Sequence, residues 1–326
     1  MKAFLLPDSG CEAAIFTANP CDPPEDSKET LIHQFSLRKM KSAHQALQRR
    51  ENGMKIGCRA HDYGKHTADH LASLLQQEGY EAAQVAMPKA IQGIDNYKDI
   101  TKEQRREIRD AFERCGLEIT VLGCYQDLST PDPEKRKEAV ENVCRVLRMQ
   151  KELGAVCVGS ETSVIHMDHE EGARRLGFME DSIQRIVETA AKENAVFAVE
   201  PVFWHPLNSI DAVQHLMETV DDAEHLHFIF DAANLLEYEL IPNQEQLWRD
   251  WLSVIGDRVD ALHIKDFVYG STNDYDTFTD MPLGKGCMRF DEISKWLGRQ
   301  TRNVTLLREH VNHTCAAEDL AFMRTL

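Results

Sequence analysis

From Met54 onward, apolar runs of strand length alternate eight times with helix-length stretches of mixed polarity. The strand candidates are MKIGCRA (54–60), AAQVAM (82–87), EITVLGC (118–124) and AVCVGS (155–160), followed by VFAVEP (196–201), HFIFDA (227–232), DALHIKD (260–266) and NVTLLRE (303–309). Stretches such as TADHLASLLQQEG, TKEQRREIRDAFERCG and DPEKRKEAVENVCRVLRMQKELG separate them. Gly79, Gly116 and Gly154 stand where these stretches stop, the expected C-terminal signal of a helix. Pro133, directly after Asp132, is placed to open one. Eight βα units in roughly 270 residues predict an α/β fold of the (β/α)8 TIM-barrel type. A doubly wound open sheet alternates in the same way. The nucleotide loop that such a fold wants after its first strand is missing, however: RAHDYGKHT has one glycine where three are needed.

The chain of 326 residues is 42% hydrophobic and 28% charged, ordinary for a soluble globular protein. Its formal net charge of −17 argues against a main role in holding nucleic acid or an anionic membrane, both of which need a basic footprint. Nine cysteines (Cys11, Cys21, Cys58, Cys115, Cys124, Cys144, Cys157, Cys287 and Cys315) contain no C-x-x-C pair and read as reduced thiols. No apolar run reaches membrane-span length, and MKAFLLPDSG is too short for a secretory h-region, so a cytoplasmic location is expected. Residues 1–53 differ from the rest. ANPCDPPEDSKET is rich in proline and acid without apolar period, and FSLRKMKSAHQALQRREN has the pattern of a short basic helix. Residues 1–53 are expected to be a poorly ordered extension, with 54–326 as the catalytic barrel. A helix packed across the bottom of the barrel or onto a partner subunit is the alternative.

The chemistry concentrates at the ends of four consecutive strand candidates: Glu200, Asp231, His263 and Glu309. Side chains alternate along a strand, and catalytic groups of a barrel come from the C-terminal strand ends. In VFAVEP, Val196, Ala198 and Glu200 share a face opposite Phe197 and Val199. Ile229 and Asp231 lie opposite Phe228 and Phe230, and Ala261, His263 and Lys265 opposite Leu262 and Ile264. Thr305, Leu307 and Glu309 lie opposite Leu306 and Arg308. Spacings of 31, 32 and 46 residues correspond to one βα unit each, the last lengthened by a loop. The four groups therefore surround one point at the barrel mouth. Three carboxylates and an imidazole there repel one another without a cation. A lone strand-end carboxylate is often a helix cap, and a lone strand histidine is usually a satisfied core residue. Four coincidences on successive strands favour a single divalent metal. The oxygen-rich set suits Mn²⁺, Mg²⁺ or Co²⁺, and Zn²⁺ is also admissible.

The stretch from Met54 onward resembles the sugar phosphate isomerase/epimerase superfamily of xylose isomerase-like TIM barrels. The residues that carry the resemblance are VEP at Glu200, FDAANL at Asp231, LHIKDF at His263, LGKG at 283–286 and Glu309. It implies that Glu200, Asp231, His263 and Glu309 bind one divalent ion, that Glu200 and Glu309 are catalytic, and that the substrate is a sugar or sugar phosphate. In the implied reaction the metal chelates a carbonyl and a neighbouring hydroxyl oxygen and stabilises an enediolate, while the two glutamates move protons on either side of the sugar carbon. A homodimer or homotetramer is implied as well. The histidines that an endonuclease IV-like three-metal cluster needs are absent from AMPK and LGCYQ, which argues against a DNA-repair role, as does the acidic net charge. Asn234 replaces a histidine frequent in relatives, and Tyr269 replaces an arginine carried by some ketose epimerases. These departures keep two alternatives open: a metal-dependent dehydratase or lyase of the inosose dehydratase kind, and a barrel that binds sugar without turnover.

Around the mouth, Lys265, Glu161, Trp204, His205, Asn234 and His61 are the substrate-binding candidates. For Lys265 the ordinary alternative is an ion pair with Asp266 or another carboxylate; for Trp204 and His205 it is loop packing. His166 and His169 read as solvated loop residues, and LGKG as a weak candidate for an anion-binding loop.

Overall fold

In the computed structural model, which describes residues 54–270 and 278–326, eight parallel strands close into a barrel. In chain order they are β1 (Ile56–Arg59), β2 (Ala82–Val85), β3 (Glu118–Gly123), β4 (Cys157–Glu161), β5 (Phe197–Glu200), β6 (Leu226–Asp231), β7 (Val259–Ile264) and β10 (Thr305–Arg308). Their order around the barrel is β1-β10-β7-β6-β5-β4-β3-β2. A helix follows each one: Ala68–Glu78, Lys102–Arg114, Pro133–Leu153, His169–Glu193, Ile210–Val220, Gln244–Ile255, Asp291–Leu297 and Ala316–Met323. Every predicted strand is present within two residues of its expected ends. The expected extension, residues 1–53, lies outside the described residues. None of the described helices is long and apolar enough to cross a membrane.

Local chemistry sets the helix ends. The Thr67 hydroxyl accepts from the His70 amide, and Thr101 with Gln104 forms a reciprocal capping box. Asp132 accepts from the amides of Glu134 and Lys135 just before Pro133, at which the longest of the first three helices opens. Gly79 and Gly154 take left-handed conformations (φ 93° and 67°) at helix C-termini, where a side chain would be strained.

The strand phasing separates two apolar layers. Val121, Cys157, Ala198, Ile229, Ala261 and Leu307 fill the barrel interior. Phe197, Val199, Phe228, Phe230, Leu262, Ile264 and Leu306 belong to the layer between barrel and helices. Each fully buried large side chain in that layer contributes about 1.5–3 kcal/mol. At Gly159, a Cβ would stand 2.6 Å from both Ile229 and Val121, so the interior has no room for one. Arg308 faces the helix layer as its phase requires, and its Nε donates to Asp319 Oδ2 at 2.8 Å, a buried charge paired with a helix residue.

The lengthened unit between β7 and β10 holds a small antiparallel pair, β8 (Asp266–Val268) with β9 (Thr279–Met281). The LGKG loop follows β9 and closes over Asp266. The Asp266 carboxylate accepts from the backbone amides of Phe267 (2.9 Å), Gly286 (2.8 Å) and Met288 (3.1 Å). Within LGKG the Gly286 amide thus holds an anion of the chain itself, while the Leu283 amide donates to Asp319 Oδ1 and that of Lys285 to the Pro282 carbonyl.

Candidate active site

Strand register gathers the site. Asp231 on β6 pairs with His263 on β7, and Glu161 on β4 pairs with Glu200 on β5. Ala198, Ile229, Ala261 and Leu307 form the interior layer one inward step below Glu200, Asp231, His263 and Glu309. Glu200, Asp231, His263 and Glu309 are all buried, none more than 6% exposed.

His263 Nδ1 lies 3.3 Å from Glu200 Oε2, 3.6 Å from Asp231 Oδ2 and 3.7 Å from Glu309 Oε1, too far for strong direct hydrogen bonds. Glu200 Oε2 and His263 Nδ1 are buried atoms without a hydrogen-bond partner, and Asp231 Oδ2 has only the Lys265 ammonium beside it, at 2.9 Å. Buried polar atoms are normally satisfied, so two without partners that face a third with a single ion-pair contact mark a place for a shared positive centre. Those three residues can bring ligand atoms within 4.8 Å of one another. One nitrogen and two carboxylate oxygens, all buried, fit a divalent metal ion.

Each member of this trio is held from behind. Gln84, in the middle of β2, places Oε1 2.6 Å from His263 Nε2, while its Nε2 donates to the Tyr125 hydroxyl at 2.7 Å. With that amide orientation His263 Nε2 donates to Gln84, which turns Nδ1 towards the carboxylates. Asn234 Nδ2 donates to Glu200 Oε1 at 2.8 Å, and the Asn234 amide donates to Asp231 Oδ1 at 3.0 Å.

Glu309 is held differently. Its Oε1 accepts from Arg59 Nη1 and its Oε2 from Lys265 Nζ, both at 2.9 Å. Lys265 also donates to Asn234 Oδ1 at 2.7 Å and lies 2.9 Å from Asp231 Oδ2. Lys265 therefore pairs with Asp231 and Glu309, whereas Asp266 is held by the LGKG loop.

The charges act on one another strongly. Burial raises the Glu200 carboxyl above the usual range despite the opposing pull of His263. Burial pushes Asp231 and Glu309 the same way and is the largest single influence on each, but Lys265 and His263 together outweigh it. Asp231 lies below the ordinary carboxylate range, and Glu309, helped by His263 and Arg59, well below it. Burial disfavours a charged His263, yet Glu200 and Glu309 hold the imidazole well above its usual range. That demand for positive charge at Nδ1 coincides with the unpaired Glu200 Oε2 and His263 Nδ1 atoms. Glu161 is driven well up by burial and by the facing carboxylates of Glu200 and Glu309.

Above the trio opens a cleft of about 180 Å³ lined by Arg59, Glu161, Trp204, His205, Lys265 and Glu309, among others. Asn234 also reaches it. His205 is 2% exposed, with Nδ1 unpaired and 3.7 Å from Glu161 Oε2. Burial lowers its pKa to about 3. His166, although exposed, stacks on Trp204 with ring centroids 4.8 Å apart and 16° between planes, so it belongs to the cleft wall and not to a free loop. His169 is exposed and does not line the cleft. His61, on the 3-10 turn Ala60–Tyr63, does not line the cleft either. Tyr269 is buried and donates its hydroxyl to the Leu236 carbonyl.

Arg59, Gln84, Tyr125 and His310 were missed in the sequence. For two of them a signal exists. Gln84 is the one polar residue inside AAQVAM, and Arg59, second from the end of MKIGCRA, is on the same phase as Gly57. Both are inward positions.

A family profile described as xylose isomerase-like TIM barrel matches residues 50–326. Comparison with curated proteins gives no match. Among solved structures, the 3-keto-D-glucoside 4-epimerase YcjR from E. coli superposes with a TM-score of 0.64 at 17% identity, covering 84% of this chain and 100% of its own. D-psicose 3-epimerase from Clostridium cellulolyticum H10, solved with D-tagatose, gives 0.62 at 17% identity, covering 83% and 98%. A xylose isomerase-like TIM barrel protein from Mycobacterium smegmatis in complex with magnesium gives 0.61 at 14% identity, covering 83% and 95%. At such identities the likeness shows a shared fold.

Proposed function

We propose that this chain, which belongs to the xylose isomerase-like TIM barrel family, is an isomerase or epimerase of a sugar or sugar phosphate that works with one divalent metal ion. The observation that carries the reading is the convergence of Glu200 Oε2, Asp231 Oδ2 and His263 Nδ1, three buried ligand atoms of which the first and last have no partner, at the floor of a polar cleft. Glu309 stands beside them as a fourth ligand, reached by exchange of its Arg59 or Lys265 contact. The donor set suits Mn²⁺, Mg²⁺ or Co²⁺, and Zn²⁺ as well. A bound ion supplies Lewis-acid polarisation of the substrate carbonyl, which acidifies the neighbouring C–H.

The proton work falls to Glu200 and Glu309, which rise from different walls of the mouth with β7 and β6 between their strands. Their environments differ: one carboxyl is raised by burial, the other lowered by Lys265, His263 and Arg59 together. Such a separation suits a pair in which one group gives a proton and the other receives one. Delivery to the opposite face of the same carbon epimerises; delivery to the adjacent carbon isomerises. Asn234 fixes the Glu200 carboxylate, and Lys265 orients that of Glu309. Glu161, His205 and Trp204 line the space where substrate hydroxyls would lie.

One observation favours a second reading. Glu161 faces the cleft with its carboxyl held well up, and a protonated carboxyl there could release a substrate hydroxyl as water, as a dehydratase requires.

Solvent exchange tests both readings. Metal-loaded protein in heavy water, presented with ketoses, inososes and their phosphates, should place deuterium on a carbon next to the carbonyl, read by proton NMR. Glu309→Gln, compared with native protein at matched metal occupancy, should lower that exchange by roughly 10²–10⁴-fold. Water loss from the substrate would favour the dehydratase. Absence of both across the panel would leave a sugar-binding barrel without turnover.

A further inference from the structure

We infer that the substrate is an uncharged polyol ring of single-sugar size, received against the Trp204–His166 wall with no phosphate subsite. This rests on the isomerase reading above and narrows its substrate class.

Charge comes first. Asp62, Glu200, Asp231 and Glu309 bring four carboxylates to the mouth, and Glu161 adds no positive charge in either protonation state. Against them stand Lys265 and Arg59. A divalent ion brings the balance to neutral, so a phosphate dianion would meet no net attraction. The cations are also committed. Lys265 has three acceptors, Asn234, Asp231 and Glu309, and Arg59 is shared between Asp62 and Glu309. His310 pairs with Asp280 at 2.8 Å. In LGKG, the natural nest for a phosphate, the Gly286 amide is spent on the Asp266 carboxylate, that of Leu283 on Asp319 and that of Lys285 on the Pro282 carbonyl.

The remaining lining suits a ring that carries hydroxyls. Trp204 is half-buried and backed by His166 in a near-parallel stack, with the Phe203 ring edge-on at 4.5 Å. A flat aromatic wall favours the C–H face of a sugar ring, whose hydrogens meet the negative π face. Close by, His205 Nδ1 is buried and unpaired, 3.7 Å from Glu161 Oε2. A hydroxyl between them would satisfy that nitrogen and the carboxyl together. A volume of about 180 Å³ lies below the roughly 300 Å³ at which drug-sized pockets begin, consistent with one ring.

Tryptophan emission supplies the test. Trp248, Trp251 and Trp296 are buried, which leaves Trp204 as the residue a cleft ligand can touch. Full-length protein loaded with Mg²⁺ is titrated with unphosphorylated ketohexoses and inososes and with their monophosphates. The expected result is an emission shift with at least one unphosphorylated ring, and binding of its monophosphate weaker by roughly tenfold or more. The shift should vanish in Trp204→Phe. Thermal stabilisation by Mg²⁺, unchanged in that variant and in Trp204→Tyr, shows that both fold. A monophosphate that binds as tightly as its parent, or a shift that survives in Trp204→Phe, overturns the inference. Deuterium exchange into a monophosphate but not its parent overturns it while the isomerase reading stands. If Mg²⁺ binds but no polyol of either class binds or exchanges, both fall.

Discussion

Gln84 Oε1 lies 2.6 Å from Nε2 of His263, reaching across the barrel from a strand with no other polar residue. The contact fixes which imidazole nitrogen faces the carboxylates, so an uncharged amide supports the metal site from behind. Outer contacts of this kind typically change metal affinity by about 10–100-fold. Gln84→Leu is expected to weaken Mn²⁺ binding by that factor, measured by competition with a chelating dye. An unchanged affinity would remove Gln84 from the site.

Chelation should destabilise the protein, because an ion bound only by the folded state adds stability by mass action. At a free metal concentration of 100 Kd the gain is about 2.7 kcal/mol. For a domain of this size that corresponds to roughly 5–10 °C in Tm. EDTA should lower Tm by this amount in the native protein and leave Asp231→Asn almost unmoved. A Tm that is indifferent to EDTA after confirmed metal loading would contradict the site.

Acid should unfold the protein partly through His205. In the unfolded chain its imidazole takes a proton near its ordinary value of 6.5, whereas in the folded protein burial delays this to about 3. Below 6.5 the unfolded state therefore binds more protons. The associated stability is complete above 6.5 and drains as pH falls towards 3, by at most about 1.4 kcal/mol per pH unit. His61, with its pKa lowered to about 4, acts in the same direction. Urea unfolding in EDTA at about pH 7 and about pH 5 measures the slope. His205→Gln should flatten it, and an identical slope would show that His205 is not buried neutral.

The LGKG loop should fail if its internal anion is disturbed. A Cβ at Gly286 would run into the Asp266 carboxylate and the Phe267 carbonyl, so Gly286→Ala is expected to cost about 1–3 kcal/mol. Asp266→Asn sets an amide NH₂ against backbone N–H groups and should cost about as much. Urea unfolding checks both, and Gly177→Ala, with nothing within 4 Å of the new methyl, serves as the harmless control.

The alternation of Ala198 with Val199 and of Ile229 with Phe230, visible in the chain, was enough to assign interior and helix-facing layers, because strand side chains alternate wherever the strand lies. It also set Glu200, Asp231 and His263 inward at strand ends, and caps such as Thr101 and Asp132 marked helices by purely local hydrogen bonds. Periodicity gives the direction of a side chain but not the residue it meets on the far wall. Gln84 and His263 are separated by 179 residues, and Arg59 and Glu309 by 250. Only closure of the barrel, with its strand register and tilt, brings those pairs into contact. The same holds for Asp266, whose claim on the LGKG amides depends on how a loop folds back. The chain by itself determined which groups enter the mouth; the tertiary structure decided which of them are already paired and which remain open to a metal and a substrate.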